Sequence, residues 1–249
     1  MLDLKDPREG SLGACPPATL RAVVALRDAE ARSRGATGPA ARIPRVSAAL
    51  GDAPNLPGTF ALAAAGAAAC GVDYVKVGLR GLRGEDESRD FLAAVVKAAR
   101  DAAPGAGVIA AAYAEAAAIG SIDPDILPRV AQHAGAHGCL IDTALKDGRS
   151  LFDHRDGAAM ARFIADCRRR GLLSGLAGSL DLPHVPLLVE LGPDVVGVRG
   201  AICGGGRSGR LDPRRLNSFR AALLGGAAGR GGSGSRSRDL LRPPWDAPA

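Results

Sequence analysis

Seven short apolar runs alternate with seven helical segments along the 249 residues, and this alternation predicts an α/β protein with a parallel sheet. The even spacing of the runs favours a TIM-type (β/α)8 barrel, which has eight strands in about 250 residues. The count is one short, so the predicted barrel lacks its first β/α unit at the N-terminus. No glycine-rich dinucleotide fingerprint follows the first strand, although a seven-stranded doubly wound sheet stays open as an alternative.

The predicted strands are the apolar runs, taken in chain order. They cover Leu2–Lys5, Arg45–Leu50, Asp73–Leu79, Val108–Tyr113, Gly138–Ala144, Leu172–Gly178 and Asp194–Gly200. Amphipathic or alanine-rich segments between them predict helices at 17–34, 58–70, 87–103, 124–135, 156–170, 182–191 and 212–224. Start signals support two of these helices, at Asp181–Pro183 and Asp212–Pro213. Glycines follow several helix ends, at Gly35, Gly71, Gly171 and Gly192.

Composition limits the classes of function. Residues 1–224 are expected to form the catalytic domain, and 225–249 a disordered tail rich in Gly, Ser, Arg and Pro. The tail supplies +2 of the net charge of +6, and the rest is spread without a basic block, so no nucleic-acid partner is expected. No apolar stretch reaches transmembrane length and no signal peptide is evident, which predicts a cytoplasmic protein without a membrane partner. A homo-oligomer is left open.

The five cysteines show no CxxC pair and no metal-ligand spacing with the four histidines. Their number is odd and their spacing irregular, so buried free thiols in a reducing compartment are expected. No metal site is predicted.

Lysine is rare in this chain. Of the 32 Lys and Arg residues four are lysines, which leaves 28 arginines. Lys5, Lys76 and Lys146 fall on or just after predicted strands, where a barrel gathers its functional side chains. Lys97 lies within a helical segment, where a solvated position is expected. A lysine amine that is desolvated or set beside other cations becomes a nucleophile, whereas a guanidinium stays charged.

Carboxylates and small-residue loops accompany these lysines. Asp3 lies two residues before Lys5 and so points the same way along a strand, and Asp142 closes the strand that leads to Lys146. Ordinary ion pairing is the alternative interpretation. The loops after the last two strands, "LAGSL" and "RGAICGGGRSGR", are predicted to bind phosphate through backbone N–H groups. Their candidate residues are Gly178, Ser179, Gly200 and Ala201, with added charge from Arg199 or Arg207.

These features together predict a Schiff-base enzyme that acts on a phosphorylated aldehyde or ketone. No cofactor is expected, because the iminium ion itself supplies the electron sink. Two alternatives stay open: another class I aldolase acting on a sugar phosphate, and a non-catalytic phosphate- or nucleic-acid-binding protein.

Five motifs in order resemble the (5-formylfuran-3-yl)methyl phosphate synthase family, over residues 2 to about 220. They are "DLKDPREGSLGA", "PGTFALAAAGAAACGVDYVKVGL", "LIDTALKDGRSLFD", "LAGSL" and "DVVGVRGAICGGGRSGRLD". The resemblance implies a barrel enzyme that condenses two molecules of glyceraldehyde 3-phosphate into 4-(hydroxymethyl)-2-furancarboxaldehyde phosphate, with loss of phosphate and water. This product is a precursor of methanofuran, a carrier of one-carbon units in methanogens and methylotrophic bacteria.

The resemblance also implies residue roles. Lys5 would form the Schiff base and Lys76 would accept a proton, while Asp142 and Lys146 would support the site. One departure concerns the N-terminus, where the family usually carries a further strand and helix of some twenty residues. An open barrel would expose two strand edges, which proteins avoid, so we expect translation to start upstream of Met1. The intact mass of the native protein tests this, and a mass that matches a start at Met1 would contradict it.

Overall fold

The computed structural model describes residues 1–33, 43–52 and 55–228, except for the side chains of residues 207, 227 and 228. The described chain divides into two compact units, Met1–Gly138 and Cys139–Ala249. Each unit alternates parallel strands with helices, as the sequence predicts. The predicted tail lies outside the described residues from 229 onward. Residues 225–228 belong to the last helix, four residues past the expected boundary at 224.

The first unit carries four parallel strands in sequence order, β1 to β4. Its strands are β1 (Leu2–Leu4), β2 (Val46–Asp52), β3 (Tyr74–Gly78) and β4 (Gly107–Tyr113). Its helices are α1 (Pro17–Ser33), α2 (Pro57–Ala68), α3 (Glu85–Ala102), α4 (Ala116–Ile119) and α5 (Leu127–His133). Proline begins α1 and α2, where its missing N–H leaves no helical hydrogen bond unmade.

The second unit carries the remaining three parallel strands, β5 to β7, also in sequence order. Its larger strands and helices are β5 (Gly138–Asp142), α6 (Leu151–His154), α7 (Gly157–Arg169), β6 (Leu173–Leu176), α8 (Val185–Leu191), β7 (Val195–Val196) and α9 (Pro213–Ala228). An antiparallel pair, β8 (Cys203–Gly204) and β9 (Arg210–Leu211), lies in the long loop before α9. The sequence pattern does not predict this pair.

One face of the first unit's sheet forms an aliphatic core. Val75 and Val77 of β3 are fully buried, as are Leu92 and Val95 of the amphipathic helix α3. Alternation along a strand sends Tyr74, Lys76 and Gly78 to the opposite face. Lys76 therefore points away from the apolar core, on the opposite face of β3.

The strand order supports a barrel over a doubly wound sheet. Within each unit the strands follow one another in sequence order, without the reversal that defines a doubly wound fold. Parallel strands in the described part of the chain number seven, as predicted.

Four cysteines, Cys70, Cys139, Cys167 and Cys203, are buried free thiols, and Cys15 is half-buried. Burial, together with a hydrogen bond to Cys167, raises the pKa of the Cys139 thiol. None of the helices in the described ranges combines the length and apolar character needed to span a bilayer.

Candidate functional site

Strand register brings Asp3 and Lys76 together on the polar face of the first unit's sheet. Asp3 lies opposite Ser47, and two residues further along β2, Ala49 lies opposite Lys76. Paired residues of parallel strands point to the same face, so these side chains share one surface. The Lys76 Nζ atom donates to both carboxylate oxygens of Asp3, at 2.7 Å each. The sequence separation of this pair is 73 residues.

Burial differs sharply between the two partners. The Lys76 side chain is only 8% exposed, whereas that of Asp3 is 35% exposed. The hydroxyl of Ser47 donates a further hydrogen bond to Asp3 Oδ1 at 2.7 Å. Burial alone would raise the pKa of Asp3, but the charges of Lys76 and Lys5 and the hydrogen bonds from Lys76 and Ser47 lower it below its usual value. The two lysine charges and the hydrogen bonds therefore favour the carboxylate form of Asp3.

Lys5 follows β1 on the same face as Asp3. Leu4 lies opposite Ala48, so the next residue, Lys5, is level with Ala49 of β2. Ala49 in turn lies opposite Lys76 of β3. Neighbouring strands are about 4.8 Å apart, so two strand spacings, about 10 Å, separate the backbones of Lys5 and Lys76. Lys5 is half-buried, and its charge acts on Asp3. The structure thus groups Lys5, Asp3 and Lys76 within the first unit.

A carboxylate that is absent from the predicted site residues lies on this face too. Asp52 ends β2 and accepts a hydrogen bond from the hydroxyl of Tyr113, at the end of β4. The sequence did contain a signal for Asp52, because an acidic residue stands at the C-terminal end of a barrel strand, where functional residues gather. Ser47 carried no comparable signal, because a serine within a strand has many ordinary explanations.

The second unit holds a separate cluster around Lys146. Lys146 Nζ donates to the Thr143 carbonyl oxygen at 2.6 Å and to the Thr143 hydroxyl at 2.9 Å, and it lies 3.4 Å from Asp142 Oδ1. Asp142 is buried and accepts a hydrogen bond from the Thr143 N–H at 2.8 Å. The predicted pair of Asp142 and Lys146 is therefore close, with Thr143 supplying the shorter contacts. A common site for all three strand-end lysines stays a prediction.

The predicted phosphate loops follow β6 and β7. Gly178 and Ser179 both adopt positive φ, of 109° and 50°. A Cβ atom at Gly178 would lie 2.8 Å from Thr143 Cγ2, so this loop packs directly on the residue that holds Lys146. Arg199, Gly200 and Ala201 share one short turn after β7. Phosphate binding by these five residues stays a prediction, and the Arg207 side chain lies outside the description.

The predicted role of Lys97 agrees with the structure. It lies on α3 with its side chain 77% exposed and pairs with Asp101 one turn later, as a solvated helix residue does.

Parallel β/α repeats that carry buried lysine and carboxylate side chains on their strands define an enzyme of the α/β-barrel class. Solved structures support this fold. Deoxyribose phosphate aldolase from Aeropyrum pernix matches with a TM-score of 0.53 and 16% identity, over 88% of this chain and 87% of that one. "QR15, an Aldolase" matches with a TM-score of 0.52 and 13% identity, over 90% and 95%. At such identities the likeness shows the fold alone.

The sequence comparisons identify the family. The family model for 4-HFC-P synthase matches residues 1–220. The (5-formylfuran-3-yl)methyl phosphate synthase of Methanothermobacter thermautotrophicus is 44% identical over 225 residues, covering 90% of this chain and 89% of that protein. The enzymes of the same name from Methanococcus maripaludis and Methanocaldococcus jannaschii are 43% and 40% identical, covering 85% of this chain and 85% and 86% of theirs. The chain belongs to the 4-HFC-P synthase family, which confirms the resemblance seen in its motifs.

Proposed function

We propose that the protein condenses two molecules of glyceraldehyde 3-phosphate into 4-(hydroxymethyl)-2-furancarboxaldehyde phosphate through a lysine Schiff base. The product is a precursor of a methanofuran-type carrier for one-carbon metabolism, and the reaction takes place in the cytoplasm. One observation carries the proposal: Asp3 pairs with the buried Lys76, and Lys5 comes two residues after Asp3 on the same face of the sheet. Membership of the 4-HFC-P synthase family supports it.

Lys5 is more accessible to substrate than Lys76 and is therefore the better candidate for the nucleophile. Lys76 is almost fully buried and both its hydrogen bonds to Asp3 are short, so a substrate aldehyde would have to break that pair to reach it. Lys5 is half-buried and follows the end of β1, so its amine can meet a carbonyl carbon. Attack by Lys5 on the first aldehyde gives a carbinolamine, which loses water to form the iminium ion.

Asp3 and Lys76 then serve the carbon chemistry. The Asp3 carboxylate, which already responds to the charge of Lys5, stabilises the positive iminium nitrogen. Lys76 gives its proton to the hydroxyl group that leaves the carbinolamine as water. The neutral Lys76 amine then takes the proton from the carbon next to the iminium, and the resulting enamine attacks the second aldehyde. Elimination of phosphate and water with ring closure then gives the furan, and hydrolysis frees Lys5.

The second unit's cluster is assigned supporting roles. Asp142 and Lys146 are assigned by the family motif, and their mutual contact is consistent with a fixed charged pair. The small-residue turns at Gly178–Ser179 and Arg199–Ala201 are proposed to bind the phosphate groups of the two substrates.

Purified protein is assayed with glyceraldehyde 3-phosphate alone, and a furan chromophore together with released phosphate is the expected result. Borohydride added during turnover should fix an adduct, and peptide mass analysis should place it on Lys5. Lys5→Arg should abolish the adduct and the furan, because guanidinium does not form an imine. Lys97→Arg is the matched control and should retain both.

Absence of a furan product from the wild-type protein, with an adduct still on Lys5, would support a different class I aldolase. Absence of both would favour a binding protein without catalysis and would reject the proposal.

A further inference from the structure

A β-bulge turns Asp52 onto the face of the sheet that carries Lys76. Ala49 lies opposite Lys76, so an even register would place Gly51 opposite Gly78, two residues further along each strand. Asp52 lies opposite Gly78 instead, because β2 contains one extra residue between Ala49 and Asp52. Without that residue, Asp52 would point to the apolar face. Gly51 has φ of +111°, a value that favours glycine and permits the bulge.

Gly78 leaves the space that the Asp52 carboxylate fills. A Cβ atom placed on Gly78 would lie 1.5 Å from Asp52 Oδ1 and 3.0 Å from the Tyr113 hydroxyl. Gly78 and Lys76 are two residues apart on β3 and so share a face. Asp52 therefore lies about 7 Å beyond Lys76 along the strand, toward the C-terminal end, where barrel enzymes bind substrate.

Tyr113 fixes the orientation of this carboxylate. Its side chain is fully buried, and its hydroxyl donates to Asp52 Oδ2. Tyr113 lies two residues after Ala111, which is opposite Gly78, so its ring belongs to the same face. Three separate features thus act on one side chain: the bulge at Gly51, the missing Cβ at Gly78 and the hydroxyl of Tyr113.

We propose that Asp52 is an acid–base residue of the lysine site and gives the proton to the hydroxyl group that leaves as water during furan formation. This inference rests on the proposed function. In each dehydration a C–H and a C–O bond break, a C=C bond forms, and hydroxide needs a proton to leave. A proton first passes from the Lys76 ammonium to the Asp52 carboxylate. The neutral Lys76 amine then takes the proton from carbon, and the Asp52 carboxyl group gives its proton to the departing oxygen. Each dehydration thus returns Lys76 to the ammonium and Asp52 to the carboxylate, so the cycle consumes no further reagent.

Asp52→Asn tests the assignment. The amide keeps the size of the carboxyl group, and its oxygen can still accept the hydrogen bond from the Tyr113 hydroxyl. The amide has no acidic proton to give. The furan product should form about 10²–10⁴-fold more slowly. The borohydride adduct on Lys5 should persist at the wild-type yield, because imine formation precedes the step. Asp101→Asn, on the exposed face of α3, is the matched control and should leave both readouts unchanged.

Tyr113→Phe is a second variant that keeps the buried ring and removes only the hydroxyl. Loss of orientation at Asp52 should slow furan formation about ten- to hundred-fold and leave the adduct. This variant decides the matter if Asp52→Asn does not fold, as judged by circular dichroism.

A furan rate within about threefold of wild type in a folded Asp52→Asn protein would overturn the assignment. Loss of the adduct together with the furan would overturn it as well, because Asp52 would then act before dehydration. A wild-type protein that makes no furan rejects the proposed function itself, which is a distinguishable result.

Discussion

The pair of Lys76 and Asp3 allows a quantitative test of the lysine site. In Asp3→Asn, the buried Lys76 ammonium loses its counter-charge and at least one of its two hydrogen bonds of 2.7 Å. Removing one partner of a fully buried pair costs about 3–5 kcal/mol of stability. Because the Asp3 side chain is 35% exposed, water replaces part of the lost interaction, so we expect about 2–3 kcal/mol.

This loss should lower the midpoint of thermal unfolding by about 4–12 °C, since 1 kcal/mol corresponds to about 2–4 °C in a chain of this size. Denaturant unfolding of Asp3→Asn, Lys76→Met and the double variant gives a double-mutant cycle. The double variant should lose less stability than the sum of the single ones, because it leaves no unpaired buried charge.

Asp101→Asn provides the control, because the exposed pair of Asp101 and Lys97 should contribute no more than about 1 kcal/mol. A cost below about 0.5 kcal/mol for Asp3→Asn, together with additive effects in the cycle, would refute the argument that Lys76 depends on a buried counter-ion.

Two further predictions concern acid stability and the loop after β6. The folded protein lowers the pKa of Asp3, so this group's stabilisation is present above its unfolded pKa of about 4 and is lost as the pH falls toward the lower folded value. The stability difference between wild type and Asp3→Asn, measured by urea unfolding, should therefore shrink below about pH 4, and a constant difference would contradict this. Gly178→Ala should destabilise by about 1–3 kcal/mol, because φ is +109° and the new Cβ would lie 2.8 Å from Thr143 Cγ2. Gly171→Ala, with φ of +68° and open space around its Cβ position, should cost less in the same assay, and equal costs would rule out the contact as the cause.

The sequence predicts six of the seven strands to within two residues at each end, because their apolar runs are short and the helical segments between them have clear ends. The seventh, predicted at Asp194–Gly200, is a strand only at Val195–Val196. Helix α3 begins at Glu85 in the structure, against a predicted 87, and β4 covers Gly107–Tyr113, against a predicted start at Val108. Period-two alternation also predicts that Asp3 and Lys5 share a face. These are local properties, which a short window of sequence contains.

Contacts between distant strands are less accessible to sequence reasoning. The pairing of Asp3 with Lys76 depends on register across the intervening strand β2. Asp3 is level with Ser47 of that strand, whereas Lys76 is level with Ala49. The side-chain direction of Asp52 depends on a single extra residue in β2, and plain alternation from Val46 would assign Asp52 to the wrong face. Gly51 directly before an acidic strand end was a signal for that bulge, although a glycine there also fits an ordinary turn.

The contrast between Lys76 and Lys97 explains why a chain so rich in arginine contains lysine in its sheet. Lys97 pairs in solvent with Asp101, an interaction that guanidinium makes equally well. Lys76 instead presents one nitrogen atom to both oxygens of Asp3 within a strand whose five residues are all buried. A planar guanidinium needs more room than this single nitrogen, and it cannot be deprotonated in a protein. Burial therefore separates a lysine that arginine can replace from one whose position requires a compact amine, which is the property that the proposed role of Lys76 in proton transfer needs.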